Sequence, residues 1–460
     1  MSTAPHSRRR RLRGEQRLRE MLRALRSRNY RLFFTGQAIS LIGTWLQIVA
    51  TSWLVYRLTG STWWLGLSAF ASRLPSVLLT PLAGVVIDRV ERKRVVIASQ
   101  SLAAVQAAIL AWLTLSGTIQ PPGESIVNGN LQAVWVVLLG SLLGIANAFD
   151  VPARQAMVVQ MVDRRDDVGN AIALNSTIFN GAKLVGPAVA GFLIARFGEG
   201  ACFGLNALSY VAVLWALHAM RLDPEDRKPG SRLPYIQGLL EGLHYAWTRV
   251  PVRALILLVA TAGLLATPQM VLLPKLVAET LRGDERSYGL LMTAQGLGAL
   301  WGAMFLASRT TARGLERVIP FASLVFASAY VGLALSRAYW QAWLLMILSG
   351  TGGMLQMAAS NTLLQALVDD DKRGRVMSLF ALGTMGTVPL GGVLAGWLGA
   401  WLSVPHAMLV CGLILLTFTL WFLSYNPRLR IHVDVMLRDQ REPVPGLQAG
   451  HEHEVTSQGS

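Results

Sequence analysis

Charge is scarce in this chain. Asp, Glu, Lys and Arg make up 15% of its 460 residues, against about 25% in an ordinary soluble protein. The shortage is concentrated: residues 32–56, 95–123, 125–149, 254–274, 287–308, 318–336, 338–368 and 376–427 contain none of the four. Cysteine is nearly missing too, with two in the whole chain, which excludes a disulfide-stapled secreted scaffold. Seven histidines are scattered, with no HExxH pair and no spaced Cys/His set, so no metal and no cofactor is expected. There is no GxxxxGK[ST] phosphate loop to supply a nucleotide-driven motor. No set of residues spaced for catalysis appears either, and the chain is not expected to be an enzyme. Hydrophobic residues are 53% and mean hydropathy is +0.43, which excludes a disordered chain.

What is present is a series of apolar runs long enough to cross a bilayer, about 20 residues each. In lipid the backbone must satisfy its own polar groups, so these runs are helices. Barrel strands would read as short alternating segments of about ten residues. Twelve spans are expected, near 32–56, 63–87, 95–117, 131–150, 169–195, 200–219, 253–278, 287–308, 317–336, 340–366, 376–400 and 404–424. The fold class is an all-α membrane protein.

The net charge of +16 does not point to nucleic acid once its distribution is drawn. With the N-terminus in the cytoplasm, 34 of the 42 Lys and Arg residues fall on the inward segments, eleven of them before residue 32. That is the positive-inside asymmetry, and both termini are cytoplasmic on this reading. The basic stretch 8–28, with Leu18, Leu22 and Leu25 at helical spacing, reads as an interfacial helix against anionic membrane lipids or as a disordered anchor.

The spans contain a repeat. A shift of 205 lays 160–193 on 365–398 with nine identities in 34 ungapped positions, among them Gly181 on Gly386, Gly186 on Gly391 and Gly191 on Gly396. Two six-helix halves of the same orientation follow, at 32–220 and 253–425. Segment 1–31 precedes them, and 221–252 joins them through an amphipathic helix carrying Ile236, Leu239, Leu240, Leu243 and Trp247. A polar, disordered tail is expected from 426.

After the second span comes Gly84-Val-Val-Ile-Asp88-Arg89-Val-Glu-Arg92-Lys93-Arg94. This resembles the signature loop of the major facilitator superfamily, with Glu91 where the second glycine usually stands. Gly181, Gly186-Pro187 and Gly191 in the fifth span resemble the antiporter motif of superfamily exporters, with Ala182 and Ala190 replacing two glycines. Pro389, Gly391 and Gly392 are its counterpart in the eleventh span. Three stretches, Asn29-Tyr30-Arg31-Leu32-Phe33, Asn147-Ala-Phe-Asp150-Val-Pro152-Ala-Arg154 and Asn170-Ala-Ile-Ala-Leu174-Asn175-Ser176, are similar to the branch that includes enterobactin exporters and macrolide efflux proteins. The resemblance implies proton-driven export of small organic molecules across the bacterial cytoplasmic membrane. Lysolipid flipping and nutrient uptake are alternatives on the same fold.

The residues suggest parts for such a machine. Asp88 with Arg92, and Asp150 with Arg154, are spaced i,i+4. With Gly84 and Arg89 they read as a latch at the cytoplasmic mouth, or as anchors with local counter-ions. Gln37, Ser40, Thr44, Gln47 and Thr51 form a polar stripe on the first span. Arg73, Ser76 and Thr80 share a face of the second, Ser176, Asn180 and Lys183 one of the fifth, and Ser349, Gly353, Gln356 and Ser360 one of the tenth. Such stripes are expected to line a cavity rather than to face lipid. Arg73 and Lys183 are cations well inside spans; they suit an anionic or phenolate-bearing substrate, or else snorkel or pair internally. Asp150 and Glu279 are the acids available for proton coupling. No obligate protein partner is evident.

Overall fold

The computed structural model describes residues 20–120, 129–222, 235–309 and 314–439, with side chains from 240 in the third segment and up to 424 in the last. Among these residues, twelve helices are long and apolar enough to cross a membrane. They are α1 Arg28–Thr59, α2 Thr62–Arg89, α3 Arg92–Leu115, α4 Gly129–Met161, α5 Arg165–Phe197 and α6 Glu199–Ala219 in the first half. A shorter helix, α7 Tyr235–Thr248, lies in the linker. The second half holds α8 Val250–Thr280, α9 Glu285–Ala307, α10 Leu315–Leu335, α11 Tyr339–Leu367, α12 Asp370–Trp401 and α13, whose apolar part is Val404–Ser424. The described residues contain no strand.

The helix ends have local causes. Gly60 closes α1 with a left-handed φ of 59°, its N–H bonding the Tyr56 carbonyl at 2.7 Å, a conformation glycine adopts without a Cβ clash. Asp284 caps α9 by accepting from the backbone N–H of Ser287 at 2.9 Å and from its hydroxyl at 2.7 Å. The outward faces carry exposed Trp112, Trp135, Trp215, Trp301 and Trp401, apolar area that only lipid covers at no cost.

Two boundaries differ from the sequence reading. The fourth span was expected to stop at residue 150, its first charge, but α4 runs to Met161. Asp150 and Arg154 neutralise one another one turn apart, so the helix meets no uncompensated charge there. At the other end, α13 continues to Asp439 where a disordered tail was expected from 426. Residues 428–439 contain neither Gly nor Pro, so nothing local ends the helix. Near the N-terminus, Arg23–Arg26 forms a single 3-10 turn rather than a continuous helix; Leu18 and the earlier arginines lie outside the described residues.

The repeat is visible in the packing. Gly186 sits against Trp45 of α1, while Gly391, its repeat partner, sits against Leu264 and Thr267 of α8. Gly191 meets Gly289 of α9, and its partner Gly396 meets Gly66 of α2. Helices one and seven of the span order thus play the same part in each half, as do two and eight.

The buried apolar residues show how the halves meet. Call the end where α1 begins the near end. At the far end one cluster runs across both halves, joining Trp53, Leu54, Leu65 and Ile194 to Leu272, Leu276, Tyr288 and Ala395. At the near end two smaller clusters stand apart. One belongs to the first half, around Tyr30, Ile87, Met157 and Leu217. The other belongs to the second, around Leu255, Leu315, Leu367 and Phe422.

Candidate functional site

The seam between the halves is built from small residues on α2, α5, α9 and α12. A Cβ on Gly66 would lie 2.5 Å from the Gly392 carbonyl oxygen and 2.7 Å from the Gly396 Cα. One on Gly191 would lie 2.7 Å from the Glu285 carbonyl oxygen, and Gly289 is as tightly set against the Pro187 carbonyl. Backbones approach this closely only where side chains are absent. Gly181, Gly186, Pro187, Gly191, Pro389, Gly391 and Gly392 divide accordingly. Gly191 and Gly392 face the other half. Gly186 and Gly391 face α1 and α8 within their own halves, and Pro187 and Pro389 are buried.

Toward the near end the seam parts. A Cβ on Gly84, Gly169, Gly181 or Gly374 would meet nothing within 4 Å among the described residues. Leu78, Leu82, Val85, Phe179, Met304 and Met385 are exposed along the same stretches. The far end is closed by more than apolar contact. Trp53 of α1 stacks on Tyr288 of α9, centroids 5.7 Å apart and planes at 19°. Lys275 of α8 donates to the Gly60 carbonyl at 2.6 Å and pairs with Glu279 at 3.5 Å. Lys275 is therefore a cross-half contact onto the C-terminus of α1, where a cation is favoured.

Arg73 and Lys183 both lie on the seam. Gly66, Phe70, Arg73 and Val77 share one face of α2; that row packs on Gly392 at one end and lies 3.9 Å from the Cβ position of Gly386 at the other. Arg73 stands between these contacts and remains exposed. The Lys183 carbonyl packs against Gly296 of α9, and its side chain is half-buried. Neither cation has a hydrogen bond or an ion pair among the described residues. Ser176 and Asn180 extend the Lys183 face toward the open end, Asn180 donating to the Ser176 carbonyl at 2.8 Å.

Other stripe residues pack inside the bundles instead of lining the gap. Gln37, Ser40 and Gln47 are buried. Gln47 donates to Gln106 of α3 at 2.9 Å and accepts from Asn206 of α6 at 2.6 Å. Ser76 donates to the Gly144 carbonyl of α4 at 2.7 Å, and Thr44 to the Ser40 carbonyl at 2.9 Å. Only Thr44 and Thr51 of that stripe stay half-buried. On α11, Ser349, Gln356 and Ser360 are buried, with Ser349 bonded to Gln269 of α8 at 3.0 Å. Helix–helix hydrogen bonding, the alternative cause of a polar stripe, is realised for Gln47, Ser76 and Ser349, whereas Gln37 Oε1, Gln356 Oε1 and the Ser360 hydroxyl are buried without a hydrogen bond among the described residues.

The expected latch pairs separate into two cases. Asp88 and Arg92 form no ion pair: α2 ends at Arg89 and α3 starts at Arg92, so their spacing does not fall on one helix. Asp88 is exposed with Arg89 beside it, and Arg92 donates to the Ala156 carbonyl at 3.1 Å. Asp150 is 3% exposed. It pairs with Arg154 at 2.7 Å and accepts from Gln100 of α3 at 2.7 Å. Tyr210 of α6 lies close to this pair and to Asn206 and Thr44. Asp150 is thus an internal acid within a polar network of α1, α3, α4 and α6, not a residue of the mouth. Gln100, Gln106, Asn206 and Tyr210 were not singled out from sequence; amides recurring in otherwise uncharged spans were the available signal. Glu279 lies at the far end and is exposed. Among the described residues no group of three His, Cys, Asp or Glu could hold a metal.

Twelve spans in two repeated halves, fused at one end and parted at the other, define a membrane transporter of the major facilitator fold. The chain belongs to the transmembrane secretion effector family of that superfamily, which it matches over residues 20–447. It is similar to a staphyloferrin A transporter of Staphylococcus aureus, 24% identical over 406 residues, covering 87% of this chain and 97% of that one. A multidrug efflux pump of Mycolicibacterium fortuitum is 28% identical, covering 84% and 93%. An enterobactin exporter of Escherichia coli is 26% identical, covering 81% and 86%. Among solved structures, a bacterial homologue of the iron transporter ferroportin in an inward-facing state superposes with a TM-score of 0.65 at 16% identity, covering 86% and 98%. A D-xylose–proton symporter gives 0.65 at 14% identity, covering 85% and 97%.

Proposed function

We propose that the protein is a proton-coupled secondary exporter of small organic molecules, siderophore-like or drug-like, working by alternating access in the bacterial cytoplasmic membrane. The observation that carries this reading is the one-sided seam: a single apolar cluster across both halves at the far end and two separate clusters at the near end. The near end also bears most of the Lys and Arg residues, which supports reading it as the cytoplasmic end. A gap open to the cytoplasm is the loading state of an exporter. The named siderophore and multidrug relatives support the same cargo classes.

Coupling is assigned to Asp150. Its carboxylate is paired with Arg154 and Gln100 while deprotonated. A proton arriving there cancels the charge that holds Arg154 and leaves a cation in a low-dielectric setting. Arg154 must then turn to another anion or to water, so proton binding biases the arrangement of the first-half helices. Arg73 and Lys183, without a hydrogen bond or ion pair among the described residues, are assigned to cargo; a cation free there favours carboxylate, catecholate or phenolate groups.

The test is transport into inverted, ATP-free proteoliposomes with an acid-interior gradient, offering enterobactin, a macrolide and ethidium. Accumulation that collapses with an uncoupler is expected. Concentrative transport that survives the uncoupler would refute proton coupling. Accumulation only in right-side-out vesicles would favour uptake, and movement of lysophospholipid alone would favour a flippase.

A further inference from the structure

We propose that the cavity between the start of α1 and the end of α6 binds the phosphate headgroup of an anionic phospholipid. The cavity measures about 440 Å³ and is lined by Arg26, Arg28, Asn29, Asp163 and Arg221. Three guanidiniums face one carboxylate there, an excess of two positive charges.

The frame of the cavity is rigid. Asn29 donates to the Arg221 carbonyl at 2.7 Å, and the Arg221 backbone N–H donates back to Asn29 Oδ1 at 3.1 Å. Arg28 donates to the Ala219 carbonyl at 3.1 Å, and the Asp163 backbone N–H to the Ser27 hydroxyl at 3.0 Å. The side chains of Arg26 and Arg221 make no hydrogen bond or ion pair with any described residue. The fold thus fixes the backbone that carries Arg221 and leaves both guanidiniums unbonded among the described residues, and guanidinium forks match phosphate oxygens.

Depth in the membrane selects the source of the phosphate. Leu205, Leu208, Val211 and Trp215 are exposed on α6, an apolar face that lipid covers, and tryptophan prefers the level where hydrocarbon meets headgroups. Four residues of α6 follow Trp215, about 6 Å at helical rise, and Arg221 stands two residues past the helix end, which carries it into a headgroup layer of about 5–8 Å. A lipid bound there lays its chains along α6, which a free phosphate cannot do.

The same headgroup would complete a clamp onto α5. Segment 21–27 is already tied to the start of that helix: Arg23 pairs with Asp167 at 2.8 Å and bonds the Asp166 carbonyl, the Ala24 N–H donates to Asn170 Oδ1 at 3.0 Å, and Asn170 donates to the Met21 carbonyl at 2.8 Å.

The experiment is lipid retention by the purified full-length protein in native mass spectrometry, with dioleoylphosphatidylglycerol, dioleoylphosphatidylcholine and inorganic phosphate as separate probes. Phosphatidylglycerol is expected to be retained, phosphatidylcholine to be lost, and inorganic phosphate not to displace the lipid. Arg26→Gln and Arg221→Gln should each weaken retention about fivefold, the factor for one basic residue at an anionic surface. Asp163→Asn should tighten it. Arg164→Gln, an exposed arginine on the same loop outside the cavity, should leave it unchanged. Equal losses in Arg164→Gln and Arg221→Gln would overturn the site in favour of general surface charge, and displacement by inorganic phosphate would overturn the lipid assignment. If an arginine variant fails to fold, Asp163→Asn and the competition on the native protein still decide, since weaker retention by Asp163→Asn is incompatible with the proposal.

Discussion

Asp150 is held from two directions, by Arg154 on its own helix and Gln100 on α3. Removing one partner of a buried pair costs about 3–5 kcal/mol, and the lower end applies because the Arg154 side chain keeps 19% exposure. Asp150→Asn is therefore expected to lower both thermal stability and transport, whereas Asp88→Asn, exposed and unpaired with Arg92, should leave stability within about 0.5 kcal/mol of wild type. Unfolding midpoints in detergent and transport per inserted molecule separate the two effects. The acid was legible in the sequence; its depth was not, because i,i+4 neutralisation lets a helix carry two charges that look like its end. A second residue gives a pH test. Burial works to raise the pKa of Asp284, but the hydrogen bonds from Ser287 outweigh it and hold the carboxyl below its usual value. A depressed carboxylate stabilises the folded state above its unfolded pKa, and that contribution is lost as pH falls through the folded one. Asp284→Ala should cost about 1 kcal/mol at neutral pH, and its difference from wild type should shrink only below about pH 4.

At the level of single helices, the glycines separate contacts of this state from contacts of the other. Gly84 on α2 has open space around its Cβ position, so Gly84→Leu fits the structure as it stands. If the near end closes during the cycle, the added side chain obstructs closure. The variant is expected to insert and unfold like wild type while transport falls at least tenfold, with near-end cysteine probes staying reactive. Gly289→Val should do the reverse, since the Pro187 carbonyl leaves no room for a Cβ in this state: stability falls and far-end probes become reactive. The number, order and type of the spans could be read from charge gaps of about 20 residues. Which side of each polar stripe met protein could not, because periodicity gives a face and not its neighbour. Gln47 and Gln356 look like lumen residues by spacing, yet both are buried in helix packing.

Across the whole molecule the halves are one body at one end and two at the other. A cysteine pair at Ala69 and Gly392, whose Cβ positions lie 3.2 Å apart, is close to disulfide geometry. Oxidising it should stop transport and reducing it should restore it, measured in a background with Cys202 and Cys411 replaced. Loss of transport that reductant does not reverse would indicate damage rather than locking. The repeat that predicted two equivalent halves came from 34 aligned positions; the closed end could not be inferred from them, since identical glycines serve either state. The fused end also sets a mechanical gain. From Gly66 in the seam to Gly84 at the near end is eighteen residues, a lever of about 27 Å at helical rise. Each degree of tilt about the seam sweeps the tip through about 0.5 Å, so ten degrees moves it by about 5 Å, one helical pitch. Lengthening α2 beyond the seam by a turn would raise that gain by about a fifth, and the size of the gate would follow from helix length with no change in the hinge.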